Sequence, residues 1–127
     1  KKIDASVYLQ DVMATSLELS GTKKPDYVQF QSLLPLINGK TDNGRDAIYG
    51  AYLQGQRMVT YGDHKLILYP SISKAILYNV ASDPQELHDL ADQKEQQPTI
   101  AKLFAKLLEL QTETGDTLDL KAAYPNL

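Results

Sequence analysis

Residues 47–80 read AIYGAYLQGQRMVTYGDHKLILYPSISKAILYNV. Isoleucine, valine, leucine and tyrosine crowd this stretch, and such side chains suit the pleated, half-buried surface of a sheet. Gln54-Gly55, Gly62-Asp63 and Pro70-Ser71 interrupt it at short intervals. They divide it into four predicted strands, Ala47 to Leu53, Arg57 to Tyr61, His64 to Tyr69 and Lys74 to Val80. Connections this short leave no room for a crossover helix, so successive strands must run antiparallel as a meander.

Downstream, Asp83-Pro84-Gln85-Glu86 has the residue types of a helix start, with Asp83 as N-cap, Pro84 in the first turn and Glu86 closing a capping box. The helix predicted from it turns Leu87, Leu90 and Ala91 inward. After Pro98, Ile100, Leu103, Phe104, Leu107 and Leu108 recur at helical spacing, with Lys102, Lys106 and Glu109 turned away. That stripe must cover one face of the sheet.

Upstream, the pattern predicts a helix over Ser6 to Ser20, with Tyr8, Leu9, Val12, Met13 and Leu17 on one broad side and Gln10, Asp11, Thr15 and Glu18 opposite. Gly21 is its natural stop. Residues 22–44 hold Pro25, Pro35, Gly39 and Asn43-Gly44, and read as irregular chain around one short turn at Ser32 to Ile37. The fold class is therefore α+β, a four-stranded antiparallel sheet covered by a carboxy-terminal helix and preceded by a helix and a long connector. The first helix finds no partner within the meander. Its apolar side is expected to meet protein absent from this chain, or else to drive self-association.

Composition narrows the function. The chain has 127 residues, 43% of them hydrophobic, enough for one core. Thirteen basic residues spread along a chain of net charge -3 leave no nucleic-acid footprint. No apolar run reaches the roughly 18–20 residues of a membrane span. Without cysteine there is no disulfide, thiolate zinc site or cysteine nucleophile.

Four segments in order resemble the carboxy-terminal third of sulfatases, of the alkaline phosphatase superfamily. Val7-Tyr8-Leu9-Gln10-Asp11-Val12-Met13-Ala14-Thr15, with Leu17, Leu19 and Gly21, is similar to the family's Val-x-x-x-Asp-Ile-x-Pro-Thr-x-Leu-x-Leu-x-Gly helix, with Ala14 at the usual proline. Ser32-Leu33-Leu34-Pro35-Leu36-Ile37-Asn38-Gly39 resembles Ser-Leu-x-Pro-Leu-Leu-x-Gly. Arg57 through Gly62 to Lys65-Leu66-Ile67 resembles the Arg-x-x-x-x-Gly-x-x-Lys-Leu-Ile hairpin. Leu77-Tyr78-Asn79-Val80, Asp83-Pro84-Gln85-Glu86 and Asp89-Leu90-Ala91 resemble Leu-Tyr-Asp-Leu, Asp-Pro-x-Glu and Asn-Leu-Ala.

The resemblance implies that residues 1–44 are the helix and connector ending a catalytic domain, and that residues 45–127 are a carboxy-terminal sulfatase subdomain. It also implies a parent that hydrolyses sulfate esters with a formylglycine made from cysteine or serine and a calcium ion. In the family these groups precede the matching segment. No catalytic residue, metal ligand or cofactor is therefore assigned to this chain, whose partners would be the absent amino-terminal catalytic domain and the parent's substrate. A periplasmic or extracellular location follows from the resemblance alone.

The candidate residues are few. Arg57 and Lys65 flank the Gly62-Asp63 turn with the chemistry to meet a sulfate oxyanion, and His64 sits between them in sequence. Each has an equally simple reading as a packing or surface residue. Ser82-Asp83-Pro84-Gln85-Glu86 spaces serine and proline like the nucleophile motif Cys/Ser-x-Pro-x-Arg, but puts Glu86 where arginine is needed. Tyr49, Tyr52, Tyr61, Tyr69 and Tyr78 offer a stacking platform or simply cross-strand packing. Asp42, Asp46, Asp83, Glu86 and Asp89 lack calcium-loop spacing and read as caps and turns. Two rivals stand beside the sulfatase reading: an autonomous binding module, and part of a phosphate or phosphonate ester hydrolase.

Overall fold

The computed structural model describes residues 2–127. The chain divides into two compact units, one running to Ile48 and the other spanning Tyr49–Leu127.

In the first unit, α1 (Asp11–Leu19) ends as Gly21 enters the left-handed region at φ +69°. Gly21 N then donates to Glu18 O (3.1 Å) and Thr22 N to Leu17 O (2.9 Å), which closes the helix end. The connector holds one short helix, α2 (Leu34–Ile37), closed the same way at Gly39.

The apolar side of α1 is left uncovered in this chain, and the opposite side is the one that packs. Its buried residues are Asp11, Ala14 and Thr15, whereas Leu9 is 84% and Met13 54% exposed. The polar side turns inward because the connector's backbone needs acceptors there. Gln31 N donates to Asp11 Oδ1 (3.0 Å), and Leu33 N to Thr15 Oγ1 (2.8 Å). The helix also starts later than Ser6: Asp11 Oδ2 accepts from Tyr8 N (2.9 Å) and Asp11 N donates to Tyr8 O (3.0 Å), which closes a turn ahead of it.

The sheet runs β1 (Ala47–Tyr52), β2 (Gln56–Tyr61), β3 (His64–Tyr69) and β4 (Lys74–Asn79), in the order β1-β2-β3-β4. Strands β2, β3 and β4 pair antiparallel, and Tyr61 opposite His64 makes Gly62-Asp63 a two-residue turn. Gly62 has φ +59°, as such mirror-image turns require. The register sets Val59 against Leu66 and Leu66 against Leu77. These residues and Leu68 are buried together on one face.

Helix α3 (Gln97–Glu113) lies over β2 and β3 and buries Ile100, Leu103, Phe104 and Leu107 as expected. Its stripe continues to Gln111 rather than through Leu108. Gln111 Nε2 donates to Leu118 O (2.7 Å) and draws the returning tail against the helix. The tail forms a last turn, α4 (Leu120–Ala123), capped by Asp119 Oδ1, which accepts from Ala122 N (3.0 Å). Leu120 and Tyr124 are buried, and the Tyr124 hydroxyl donates to Lys74 O (2.7 Å).

No helix follows Asp83. Glu86 adopts φ +54°, and its carboxylate reaches Lys65 Nζ (2.9 Å) instead of folding back to close the capping box. Asp83 Oδ2 accepts from Leu87 N and His88 N, both at 2.9 Å, holding a turn that leaves Leu87 73% exposed. The chain then runs past β4. Leu90 N donates to Leu77 O (2.8 Å), and Leu77 N to Asp89 Oδ1 (3.1 Å). An edge strand is thereby shielded by irregular chain, which a helix would have carried away.

Candidate functional site

Arg57 lies two residues before Val59, so the alternation of β2 points it at the face beneath α3, where it is 4% exposed. A guanidinium there costs several kcal/mol in lost hydration unless its donors are matched. They are matched. Nε donates to Asp116 Oδ2 and Nη2 to Asp116 Oδ1 (3.1 Å), while Nη1 serves Leu53 O (2.7 Å) and Gln56 O (2.8 Å). The Tyr49 hydroxyl also donates to Asp116 Oδ2, and Leu118 N to Oδ1 (3.1 Å).

These contacts order the ionisation of the cluster. The Arg57 guanidinium holds the Asp116 carboxyl well below the usual carboxylate range, against the opposing effect of burial. Its bond to Asp116 raises Arg57 in turn. Burial, then the neighbouring carboxylate, pushes the Tyr49 phenol up. The cluster is thus a fixed ion pair that ties the tail to the β1–β2 turn. There the backbone of Leu53 is held at φ +48°, a region that branched residues seldom occupy.

Lys65 points to the other face. Its ammonium donates to both carboxylate oxygens of Glu86, at 2.9 and 3.1 Å. It lines a groove of about 260 Å³ with Gly50, Tyr52, Gln56, Met58 and Ile67. Gly50 makes room for the floor, since a Cβ there would lie 2.9 Å from Met58 Cε. Gln56 Nε2 donates to the Tyr69 hydroxyl (2.9 Å) at the groove's rim.

His64 opens β3 opposite Tyr61 and Asn79. By alternation it shares the Arg57 face, but the register sets it at the other end of the β2–β3 pair. Arg57, His64 and Lys65 therefore do not converge. What gathers near the His64 end is a pair of cations from α3: Lys102 Nζ lies 4.9 Å and Lys106 Nζ 5.8 Å from the Tyr61 ring centroid. His88 Nδ1 lies 3.3 Å from Asp83 Oδ2 on the surface.

Sequence reasoning missed Asp116 altogether, and placed Asp11 and Thr15 only opposite the apolar side of their helix. Arg45 Nη2 donates to Asp11 Oδ1 (2.7 Å), and its guanidinium sits 4.7 Å from the Tyr8 ring centroid. Burial of Asp11 is outweighed by Arg45 and by the amides of Gln31 and Tyr8, so its carboxyl is held below the usual range. A signal for Asp11 and Thr15 was present, because the quoted Asp-Ile-x-Pro-Thr pattern names an acid and a threonine at those two positions.

Among the described residues, no group of three or more histidine, cysteine, aspartate or glutamate side chains is placed to hold a metal ion. The donor set of this chain does not fit the calcium that the resemblance implies for the parent. Among the same residues, no helix is long and apolar enough to cross a membrane.

Residues 1–113 match the family model described as N-sulphoglucosamine sulphohydrolase, C-terminal. A Haemophilus influenzae protein is 34% identical over 93 residues, which are 68% of this chain and 47% of that one. A Clostridium perfringens arylsulfatase is 29% identical over 120 residues, 89% of this chain and 25% of the enzyme. The solved structure of BT4656, in complex with its substrate D-glucosamine-2-N,6-O-disulfate, shares the fold with a TM-score of 0.75 at 23% identity. It is covered over 24% of its length by 84% of this chain. A meander under one long helix, preceded by the Asp11 helix, is thus a sulfatase-type carboxy-terminal domain. The chain belongs to the N-sulphoglucosamine sulphohydrolase C-terminal family, and it spans about half or less of the length of these relatives.

Proposed function

We propose that this chain works as the carboxy-terminal part of a larger sulfuric ester hydrolase, where it supports the catalytic portion and borders the substrate cleft without supplying the reacting groups. The observation that carries this reading is the family match over residues 1–113, on a chain that spans only a quarter of the arylsulfatase. The exposed Val12 and Met13 of α1, with Leu9 just before it, supply apolar surface for the catalytic portion to cover. Residues 1–44 then form the junction, and 45–127 the subdomain proper. The nucleophile and the calcium site belong to the catalytic portion.

Of the three residues singled out from sequence, Lys65, on the open groove, is the substrate-facing one, and His64 lies on the opposite face of the sheet. Arg57 acts at a distance, by fixing the β1–β2 turn. Lys65 can exchange its Glu86 partner for a sulfate oxygen, because both are charge-assisted acceptors of the same ammonium.

The purified 127-residue chain is expected to hydrolyse no aryl sulfate, with or without calcium. In the longer enzyme, Lys65→Ala is expected to raise KM and leave kcat nearly unchanged, the pattern of lost uniform binding. Hydrolysis by the isolated chain that vanishes on substituting one of its own residues would sink this reading.

A further inference from the structure

Asn38-Gly39 and Asn43-Gly44 are the chain's two Asn-Gly pairs, and their surroundings differ in the one respect that governs a known backbone reaction. In that reaction the amide nitrogen of the following residue attacks the asparagine side-chain carbon, a C–N bond forms and ammonia leaves. Water then opens the resulting succinimide, yielding aspartate or isoaspartate. Glycine favours the attack because no Cβ obstructs the approach.

Gly39 N is occupied. It donates to Leu36 O (3.1 Å) within the closure of α2, beside Lys40 N donating to Pro35 O (2.8 Å). Gly44 N makes no hydrogen bond among the described residues, and Asn43 is exposed. Gly44 is also irreplaceable. A Cβ there would lie 2.5 Å from Ser6 O and 2.8 Å from Ser6 N, both backbone atoms with little room to yield. Packing thus imposes the glycine that makes Asn43 labile.

We propose that Asn43 is a site of spontaneous deamidation and isoaspartate formation, and that its conversion loosens the unit running to Ile48. Isoaspartate inserts a methylene into the main chain just before Gly44 and adds a carboxylate two residues from Arg45. Arg45 N donates to Ser6 O (2.9 Å), and its side chain holds Asp11 (2.7 Å). The insertion displaces the first bond, and the new charge competes for the second.

The test is to age the purified chain in mildly alkaline buffer, cleave after Lys40 and Arg45 so that the two asparagines fall on separate peptides, and measure isoaspartate in each by methyltransferase labelling and mass spectrometry. Asn43 is expected to convert roughly threefold to tenfold faster than Asn38, the factor expected for freeing Gly39 N from its hydrogen bond. The aged chain should melt earlier than the fresh one, and Asn43→Gln should abolish most of that loss. Equal or faster conversion of Asn38, or no conversion at either position, overturns the assignment. Conversion at Asn43 with unchanged melting, or an equal loss in aged Asn43→Gln, overturns its consequence.

Discussion

Asp116 is a single carboxylate that accepts from Arg57, Tyr49 and Leu118, and its value lies in what its loss would leave behind. Asp116→Ala strands a buried guanidinium, and should cost about 3–5 kcal/mol in denaturant titration. Arg57→Met should cost less, because it fills the same space with apolar atoms and leaves the partly exposed Asp116 to hydrate. The pair also sets a pH dependence. The folded-state pKa of Asp116 is depressed, so the unfolded chain binds the extra proton, and stability rises with pH across the interval between the two values. Its contribution is complete above the unfolded value of about 4 and fades as pH falls toward the folded one. The stability gap between wild type and Asp116→Asn should therefore narrow on acidification below about pH 5. A gap that widens there would contradict the pairing. None of this was legible from the sequence, since Asp116 follows Gly115 in a polar tail and its partner lies 59 residues earlier.

At the scale of elements, periodicity served well where packing is apolar and failed where polar groups decide. The four strands and the α3 stripe were readable because Val59, Leu66, Leu68, Leu77, Ile100, Leu103 and Leu107 bury hydrocarbon at regular spacing. Leu103→Ala or Phe104→Ala should accordingly cost about 2–5 kcal/mol by denaturant midpoint. In α1 the same rule marked a side that this chain leaves open, and it gave no sign that Asp11 and Thr15 face inward to satisfy the amides of Gln31 and Leu33. Thr15→Val keeps the shape and removes the acceptor, so it should cost about 1–3 kcal/mol through the stranded Leu33 N–H. The capping signature at Asp83 misled for a related reason: Glu86 finds Lys65, 21 residues back, a stronger partner than the helix start. The apolar outer side of α1 predicts concentration-dependent self-association of the isolated chain in sedimentation. Replacing Val12 and Met13 by serine should suppress it, with a stability change within about 0.5 kcal/mol.

For the molecule as a whole, the family match stops at residue 113, but the cohesion of the Tyr49–Leu127 unit does not. Asp116, Leu120 and Tyr124 all follow that point, and the Tyr124 ring packs edge-on against Phe104 with centroids 6.2 Å apart. A chain ending at Glu113 should therefore lose its cooperative unfolding transition, while one ending at Tyr124 should retain it. The order of synthesis adds a consequence. Arg57 is made 59 residues before the carboxylate that neutralises it, an interval of roughly 3–12 s at translation rates of about 5–20 residues per second. Throughout that interval a nascent sheet would have to enclose an unmatched cation. Such a sheet is expected to stay open until Asp116 has been made and can reach Arg57.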